Sequence, residues 1–259
     1  MLTPPTSLAT TCMPPTDYVL LLKWHLGVPI IPIHYSGRRC AACGRAVDPF
    51  GDHAVMCPCS AFHDRHLGAN NFVCRVLQEA GIPHRREQSV DGSGSRPADI
   101  LLPGFARGQD VAVDITITHP IQVHRAHGFG AAKLAMEGAR REKYRAHQQT
   151  CSRVGVRFEP LVMDTWGGVH GGAGSIWSSI VQAASRGLRV AERAARLGAL
   201  RQGLSLSVVR TVARQLASLP LATDPAPAED GANDELIGAY PTVADEEGEA
   251  DLLSLDGEG

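Results

Sequence analysis

Several features are scarce or missing in this chain of 259 residues. Lysine occurs only at positions 23, 133 and 143, so almost all of the positive charge comes from arginine. No stretch approaches eighteen apolar residues, and the start of the chain lacks the charged segment and apolar core of a signal peptide. The glycine-rich segment 167–174 has no Lys-Ser/Thr ending, which excludes a nucleotide-binding phosphate loop. We therefore expect an intracellular protein with no membrane partner.

Basic residues are absent from the last 39 positions. Residues 221–259 carry twelve Asp or Glu, so residues 1–220 hold all 25 basic residues against 15 acidic ones. A basic body is typical of proteins that bind phosphate groups, and an acidic tail rich in Pro, Gly and Ala is expected to be disordered. The tail could serve solubility alone, or it could bind the protein's own basic surface, in competition with nucleic acid, or a protein partner.

Four of the seven cysteines lie within twenty residues, which in a reducing compartment favours a metal site over disulfides. Their spacing, Cys-x2-Cys-x9-His-x3-Cys, predicts a structural zinc knuckle because all four ligands come from protein. The predicted ligands are Cys40, Cys43, His53 and Cys57, and either Cys59 or His63 could replace Cys57. A knuckle of this size is not expected to bury a core, so zinc would supply its folding energy.

Apolar periodicity and turn residues predict an α/β fold with a mixed sheet of about four strands flanked by helices. A helix is predicted over 17–26, with Thr16 as its N-cap, and others over 62–80, 130–149, 175–201 and 204–219. Strands are predicted over 84–90, 98–102, 111–118 and 156–163, with residues 103–108 joining the second strand to the third.

Two aspartates fifteen residues apart are the most informative feature. Asp99 enters the second predicted strand, and Asp114 lies inside the third, on the face opposite Val111, Val113, Ile115 and Ile117. A charge inside a strand is costly without a partner. Carboxylates are ligands that Mg²⁺ and Mn²⁺ prefer, and such an ion can polarise a phosphate and activate a water. The pair predicts a metal-dependent nuclease; the alternative is that Asp99 caps a strand and Asp114 pairs with an arginine.

A cation is expected beside these acids to stabilise the charge that develops during phosphoryl transfer. Lys143 and Lys133 lie on the predicted helix 130–149 and could supply it, or both could lie on a solvated face. Glu87, on the preceding strand, could be an accessory metal ligand.

Together these segments resemble the C-terminal endonuclease region of site-specific non-LTR retrotransposon proteins, in which a zinc knuckle precedes a restriction-enzyme-like PD-(D/E)xK nuclease. The resemblance covers Gly37 to about Phe158. The matching parts are the four knuckle ligands, Arg65-His66, Arg96-Pro97-Ala98-Asp99, Asp114-Ile115-Thr116 and Lys143-Tyr144. Four positions depart from the family. Thr116 replaces the lysine of the plain motif, and Arg140 replaces the first lysine of Lys-x-x-Lys-Tyr. Ala98 separates Pro97 from the acid, and Leu67 stands where an asparagine often follows Arg-His.

The resemblance implies a restriction-endonuclease-like core that nicks or cleaves DNA, with Mg or Mn held by Asp99 and Asp114 and assisted by Lys143 or Lys133. In such proteins the nicked DNA primes reverse transcription. DNA, or alternatively RNA, would be the partner, with Arg96, Arg140 and Arg141 as candidate nucleic-acid-binding residues. The location would be nuclear in a eukaryotic cell.

The expected organisation has five parts: an N-terminal helix and lead-in over 1–36, the knuckle over 37–61, the nuclease domain over 62–165, a helical basic appendage over 166–220, and the acidic tail over 221–259. Two other functions compete with the nuclease. One is a catalytically inactive, zinc-containing nucleic-acid-binding protein derived from a retrotransposon fragment. The other is a scaffold whose acidic tail recruits protein partners.

Overall fold

The computed structural model describes residues 13–31, 38–57, 59, 62–87, 89, 98–120, 130–171 and 175–218. Arg96, the predicted turn over 91–95 and the acidic tail lie outside the described residues. In chain order the elements are α1 (Pro15–His25), α2 (Asp52–Met56), α3 (Phe62–Glu79), β1 (Arg85–Arg86), β2 (Ile100–Ala106), β3 (Gln109–Thr118), α4 (Ala131–Arg153), β4 (Arg157–Asp164), α5 (Ile176–Ala183) and α6 (Val190–Ala217).

The strands form one mixed sheet in the order β1-β2-β3-β4, which confirms the predicted α/β class and strand number. β2 and β3 are antiparallel, with Ile100 opposite Val113. β3 and β4 are parallel, with Asp114 opposite Pro160. Parallel neighbours need a crossover connection, and α4 lies in that connection and packs against both strands.

The alternation along β3 separates the two faces of the sheet. Val111, Val113 and Ile115 are buried in the large core, together with apolar residues of α3 and α6. Ala112 lies on the other face, in a smaller cluster with Cys151 of α4 and Phe158 of β4. Each buried valine or isoleucine contributes about 1.5–3 kcal/mol. Asp114 shares the face of Ala112, as its position in the alternation predicts.

The hairpin between β2 and β3 is tighter than predicted. The predicted connection over 103–108 is wrong for its first residues, because β2 continues to Ala106. A register shift between Leu102 and Ala106 accommodates the proline and glycine of this segment, as a β-bulge allows. β1 is also shorter than the predicted strand, since within the described residues it pairs with β2 only at Arg85 and Arg86.

Several helix boundaries differ from prediction; α4, for example, ends at Arg153 instead of residue 149. Thr16 is not the N-cap of α1, because the helix begins at Pro15, where the missing proline N–H costs no hydrogen bond. The break between the last two helices is at residues 184–189 instead of 202–203. Gly203 lies inside α6, within the predicted break, where the lack of a side chain allows close packing against Phe72.

The late helices share the main core of the protein. Trp177 and Ile180 of α5 and Leu204 and Val208 of α6 belong to the same buried cluster as the sheet. Residues 166–218 are therefore not an appendage to residues 62–165. In the part of the chain that the structure describes, no helix has the combination of length and apolar character that crossing a lipid bilayer requires.

Candidate functional site

The predicted knuckle ligands converge in the structure. One ligand atom from each of Cys40, Cys43, His53 and Cys57 lies within 4.8 Å of the other three. The Sγ atoms of Cys40 and Cys57 are 3.9 Å apart, and Sγ of Cys43 is 3.4 Å from Nε2 of His53. Sulfur ligands at about 2.3 Å from a tetrahedral zinc lie about 3.8 Å from one another. The cluster could therefore hold a metal such as zinc.

Local hydrogen bonds fix the positions of these ligands. The N–H of Gly44 donates to the carbonyl of Cys40, and the N–H of Cys40 donates to the carbonyl of Arg45, which closes a tight turn around the first two cysteines. Asp48 organises the second half of the knuckle: its carboxylate accepts hydrogen bonds from backbone N–H groups at 50–53, including that of His53 at 2.6 Å. Cys57 then follows the last turn of α2.

The protonation of the thiols also suits a metal site. Burial raises the pKa of Cys40, but hydrogen bonds from His53 and from backbone N–H groups outweigh it and lower that pKa to about 6. Burial and the neighbouring thiols raise the pKa of Cys57 to about 11. Without a metal, the close thiols therefore do not all ionise together. A divalent cation bound among them would lower their pKa values and stabilise the thiolate forms.

The choice among the proposed fourth ligands is resolved by this geometry. Cys57 belongs to the cluster, whereas Cys59 and His63 are exposed and do not. The expectation that the knuckle buries no core is wrong for α2. Ala54 and Val55 of that helix are buried in the large core, so packing as well as metal binding can hold the knuckle in place.

The second group of predicted residues lies where β2 enters the sheet. The N–H of Asp99 donates to the carbonyl of Val113, and its Oδ2 atom accepts a hydrogen bond from the N–H of Ile115 at 2.6 Å. The same oxygen accepts from Nε2 of His66 at 2.9 Å. Asp99 is thus held against β3, beside Asp114, by one backbone donor and one side chain of α3.

Asp114 is buried, with 8% of its surface exposed, and it forms an ion pair with a lysine of α4. Nζ of Lys143 lies 3.1 Å from Oδ2 of Asp114, and the hydroxyl of Thr116 donates to the same oxygen at 3.0 Å. The sequence left Lys143 and Lys133 as alternatives, and Lys143 is the one that contacts the acid. Lys133 is exposed on α4.

The acids and their partners form one electrostatic group. Burial raises the pKa of Asp114, the charge of Asp99 raises it further, and Lys143 and Thr116 lower it only in part. The hydrogen bond to Asp99 raises the pKa of His66, and both carboxylates add to the shift. Two carboxylates, a lysine and a histidine therefore act on one another at the inner strands β2 and β3 of the sheet.

The remaining predicted site residues have other surroundings. Arg140 contacts Glu137 and lies over the ring of Tyr144, and Arg141 is exposed on α4. Glu87 is exposed, with a φ of 47°, and its N–H donates to the carbonyl of Asp99.

Sequence reasoning missed the direct partners of the two acids. In the sequence, His66 stands out only as part of Arg65-His66, and Thr116 only as a departure from a motif. His66 and its partner Asp99 are 33 positions apart in the chain, whereas Thr116 and its partner Asp114 are two positions apart. The alternation of β3 does place Thr116 on the face of Asp114, which is a usable signal. Nothing in the local pattern links His66 to Asp99.

Comparison with known proteins adds no assignment to this geometry. The chain matches no protein-family model, and a search of curated proteins finds no match.

Proposed function

We propose that this protein is a metal-dependent DNA endonuclease that hydrolyses or nicks a phosphodiester bond. The observation that supports the proposal is that Lys143 pairs with Asp114, while Asp99 accepts a hydrogen bond from the N–H of the next residue, Ile115. Neighbouring acids that repel each other, one of them buried and paired with a lysine, are costly for stability, and such groups cluster at functional sites.

Both acids keep carboxylate lone pairs that a divalent cation could use. A carboxylate offers about four lone-pair positions. The described residues use two of them on Asp99, both at Oδ2, and the contacts of Asp114 are those with Lys143 and Thr116. Mg²⁺ binds through one or two carboxylates plus phosphate and water. When bound, it would polarise the scissile phosphate and activate the attacking water.

The chain's own side chains have distinct roles in this proposal. Asp99 and Asp114 hold the cation, and Lys143 offers positive charge to the phosphate oxygens, where negative charge develops. The Thr116 hydroxyl and Lys143 fix the orientation of the Asp114 carboxylate. His66 does the same for the Asp99 carboxylate.

We propose that the protein derives from the retrotransposon endonuclease region that its sequence resembles. The zinc-type knuckle precedes the acidic site in the chain, in the order that the resemblance requires. DNA is the proposed partner, and a nuclear location in a eukaryotic cell follows from that origin.

The alternative is a zinc-containing nucleic-acid-binding protein without catalysis. The observation that favours it is the ion pair between Asp114 and Lys143, since a buried acid that is merely neutralised needs no metal. The two functions differ in whether a phosphodiester bond is broken.

A plasmid-nicking assay with Mg²⁺ or Mn²⁺ tests the proposal. We expect wild type to nick supercoiled DNA and Asp114→Asn or Lys143→Ala to reduce the rate by roughly 100-fold or more, as loss of one transition-state contact does. Lys133→Ala is the matched control on the same helix and should cut like wild type. Cutting that survives Asp114→Asn would refute the site, and binding without cutting under either metal would favour the alternative.

A further inference from the structure

Arg85 of β1 lies on the same face of the sheet as Asp114. It is opposite Leu101 of β2, and Leu101 is opposite Ala112 of β3. Residues directly opposite each other in an antiparallel pair share a face, and so do residues two apart along a strand. Because Asp114 is two residues after Ala112, the side chains of Arg85 and Asp114 leave the sheet on the same side.

The packing on the two faces agrees with this register. Leu101 and Ala112 belong to the small apolar cluster on the side of α4. The next residue of β1, Arg86, donates a hydrogen bond to Asn71 of α3, which packs on the other side of the sheet. Neighbouring residues of β1 therefore point to opposite faces, and Arg85 points to the face of Asp114.

This face of the sheet is exposed at β1. α4 packs on it against β3 and β4. Farther from β4 on the same face, Leu101 is only partly buried and Arg85 is exposed. Arg85 is therefore accessible beside the strands that carry the two acids.

The charge of Arg85 is not committed to another described residue. Lys143 pairs with Asp114. Arg140 pairs with Glu137. By contrast, within the described part of the chain the side chain of Arg85 makes no hydrogen bond and no ion pair. Positive charge beside a site attracts an anionic substrate such as a phosphate, which the two carboxylates alone would repel.

The geometry of the sheet gives the distance from Arg85 to the acids. Leu101 is two residues after Asp99, a separation of about 6.8 Å, and neighbouring strands lie about 4.8 Å apart. The Cα atom of Arg85 is therefore about 8 Å from that of Asp99 and about 12 Å from that of Asp114. A DNA strand rises about 3.4 Å per nucleotide, so these distances correspond to about two to four nucleotides.

We propose that Arg85 binds a phosphate of the DNA backbone about two to four nucleotides from the bond that is cut at the acidic site. The position of this phosphate rests on the proposed nuclease function, whereas the contact itself requires only that the protein binds DNA. The guanidinium group would donate hydrogen bonds to the phosphate oxygens, which its fork of N–H groups fits. Such a contact positions the duplex without reading its sequence.

Salt-dependent DNA binding by the full chain tests the contact. A labelled duplex is titrated at several salt concentrations without added Mg²⁺ or Mn²⁺. We expect Arg85→Gln to bind about fivefold more weakly at about 0.15 M salt, with a slope of log K against log salt that is smaller in magnitude by about 1. Arg107→Gln is the matched control, because Arg107 is an exposed arginine in the turn at the other end of β2 from Asp99. Arg85→Lys should keep the slope of wild type, because it keeps the charge.

Three outcomes would overturn the contact. The first is a slope in Arg85→Gln that equals the slope in Arg107→Gln. The second is a slope in Arg85→Lys as small as that in Arg85→Gln, which would give Arg85 a structural role. The third is a change of slope that is seen only with an RNA duplex of equal length.

Neutral methylphosphonate linkages locate the phosphate that Arg85 binds. Once the nick is mapped, one linkage at a time is made neutral, and the substrate concentration for half-maximal nicking is compared between wild type and Arg85→Gln. The difference should disappear when the neutral linkage is about two to four nucleotides from the nick, and its disappearance elsewhere would refute the position. Failure of wild type to nick DNA would contradict the proposed function, while the salt slope would still decide the contact.

Discussion

His66 determines how one of the two acids is presented. Its Nε2 atom donates a hydrogen bond to Oδ2 of Asp99. In the proposed site, Oδ1 of the same carboxylate would then bind the metal ion. Partners that orient a metal ligand typically affect metal affinity or activity by 10–100-fold when they are removed. We expect His66→Gln to raise the Mg²⁺ concentration needed for half-maximal nicking by about tenfold, with a smaller effect at saturating metal.

His63→Gln is the control for this change, because His63 is exposed on the same helix and lies outside both candidate metal groups. A metal titration of the nicking rate compares the two variants. Equal metal requirements for them would show that His66 does not position Asp99. A loss of rate in His66→Gln that excess metal does not reduce would give His66 a different role.

Asp114 should make stability depend on pH. Burial and the charge of Asp99 raise its pKa above the ordinary 3.8, so the folded protein holds this proton more tightly than the unfolded chain does. Its contribution to stability is therefore full below pH 3.8 and is lost as the pH rises through the raised value. Asp114→Asn carries no charge and lacks this loss.

Thermal unfolding without added magnesium measures this effect. We expect the melting temperature of wild type to fall relative to that of Asp114→Asn as the pH rises from about 4 to 7. Thr118→Val, on the same face of β3, controls for a polar change that does not alter charge. A wild type that is more stable than Asp114→Asn by a constant margin at every pH would mean that Lys143 fully compensates the buried acid.

At the scale of helices and strands, the sequence predicted correctly those features that depend on residues close together in the chain. The alternation in Val111–Thr118 placed Asp114 on the correct face, and the helical spacing in 62–80 matches α3 within one residue at its end. The knuckle spacing predicted all four members of the cluster that could hold a metal, because tight turns and a short helix fix their geometry within eighteen residues.

The errors at this scale arose where tertiary packing overrode local signals. Pro103 and Gly104 are turn formers, yet a bulge retains them in β2. Gly203 is a helix breaker by propensity, yet packing against Phe72 requires a residue without a side chain there. The choice between Lys133 and Lys143 likewise depended on how α4 lies on the sheet. That orientation is set by long-range contacts that one sequence does not display.

At the scale of the whole molecule, the knuckle is joined to the body by side chains next to a metal ligand. Asp52 precedes His53, and its Oδ1 atom accepts a hydrogen bond from Nε1 of Trp24 at 3.0 Å. The Trp24 ring stacks on His119, which follows β3. Arg65 of α3 is buried and donates to the carbonyl of Val55 in α2. Displacement of the knuckle should therefore disturb the packing of α1, α3 and the end of β3.

Zinc removal tests this coupling. We expect purified protein to contain one zinc per chain and Cys43→Ser to lose it, with a melting temperature lower by roughly 5 °C or more, since 1 kcal/mol corresponds to about 2–4 °C at this size. Tryptophan fluorescence should change in the same variant, because Trp24 loses a fixed Asp52 partner.

Cys59→Ser is the control, because Cys59 is exposed and outside the cluster, and it should retain zinc, fluorescence and melting temperature. Zinc loss that leaves both the fluorescence and the melting temperature unchanged would mean that the packing of Ala54 and Val55 holds the knuckle without metal, and a protein purified without zinc would refute the metal site itself.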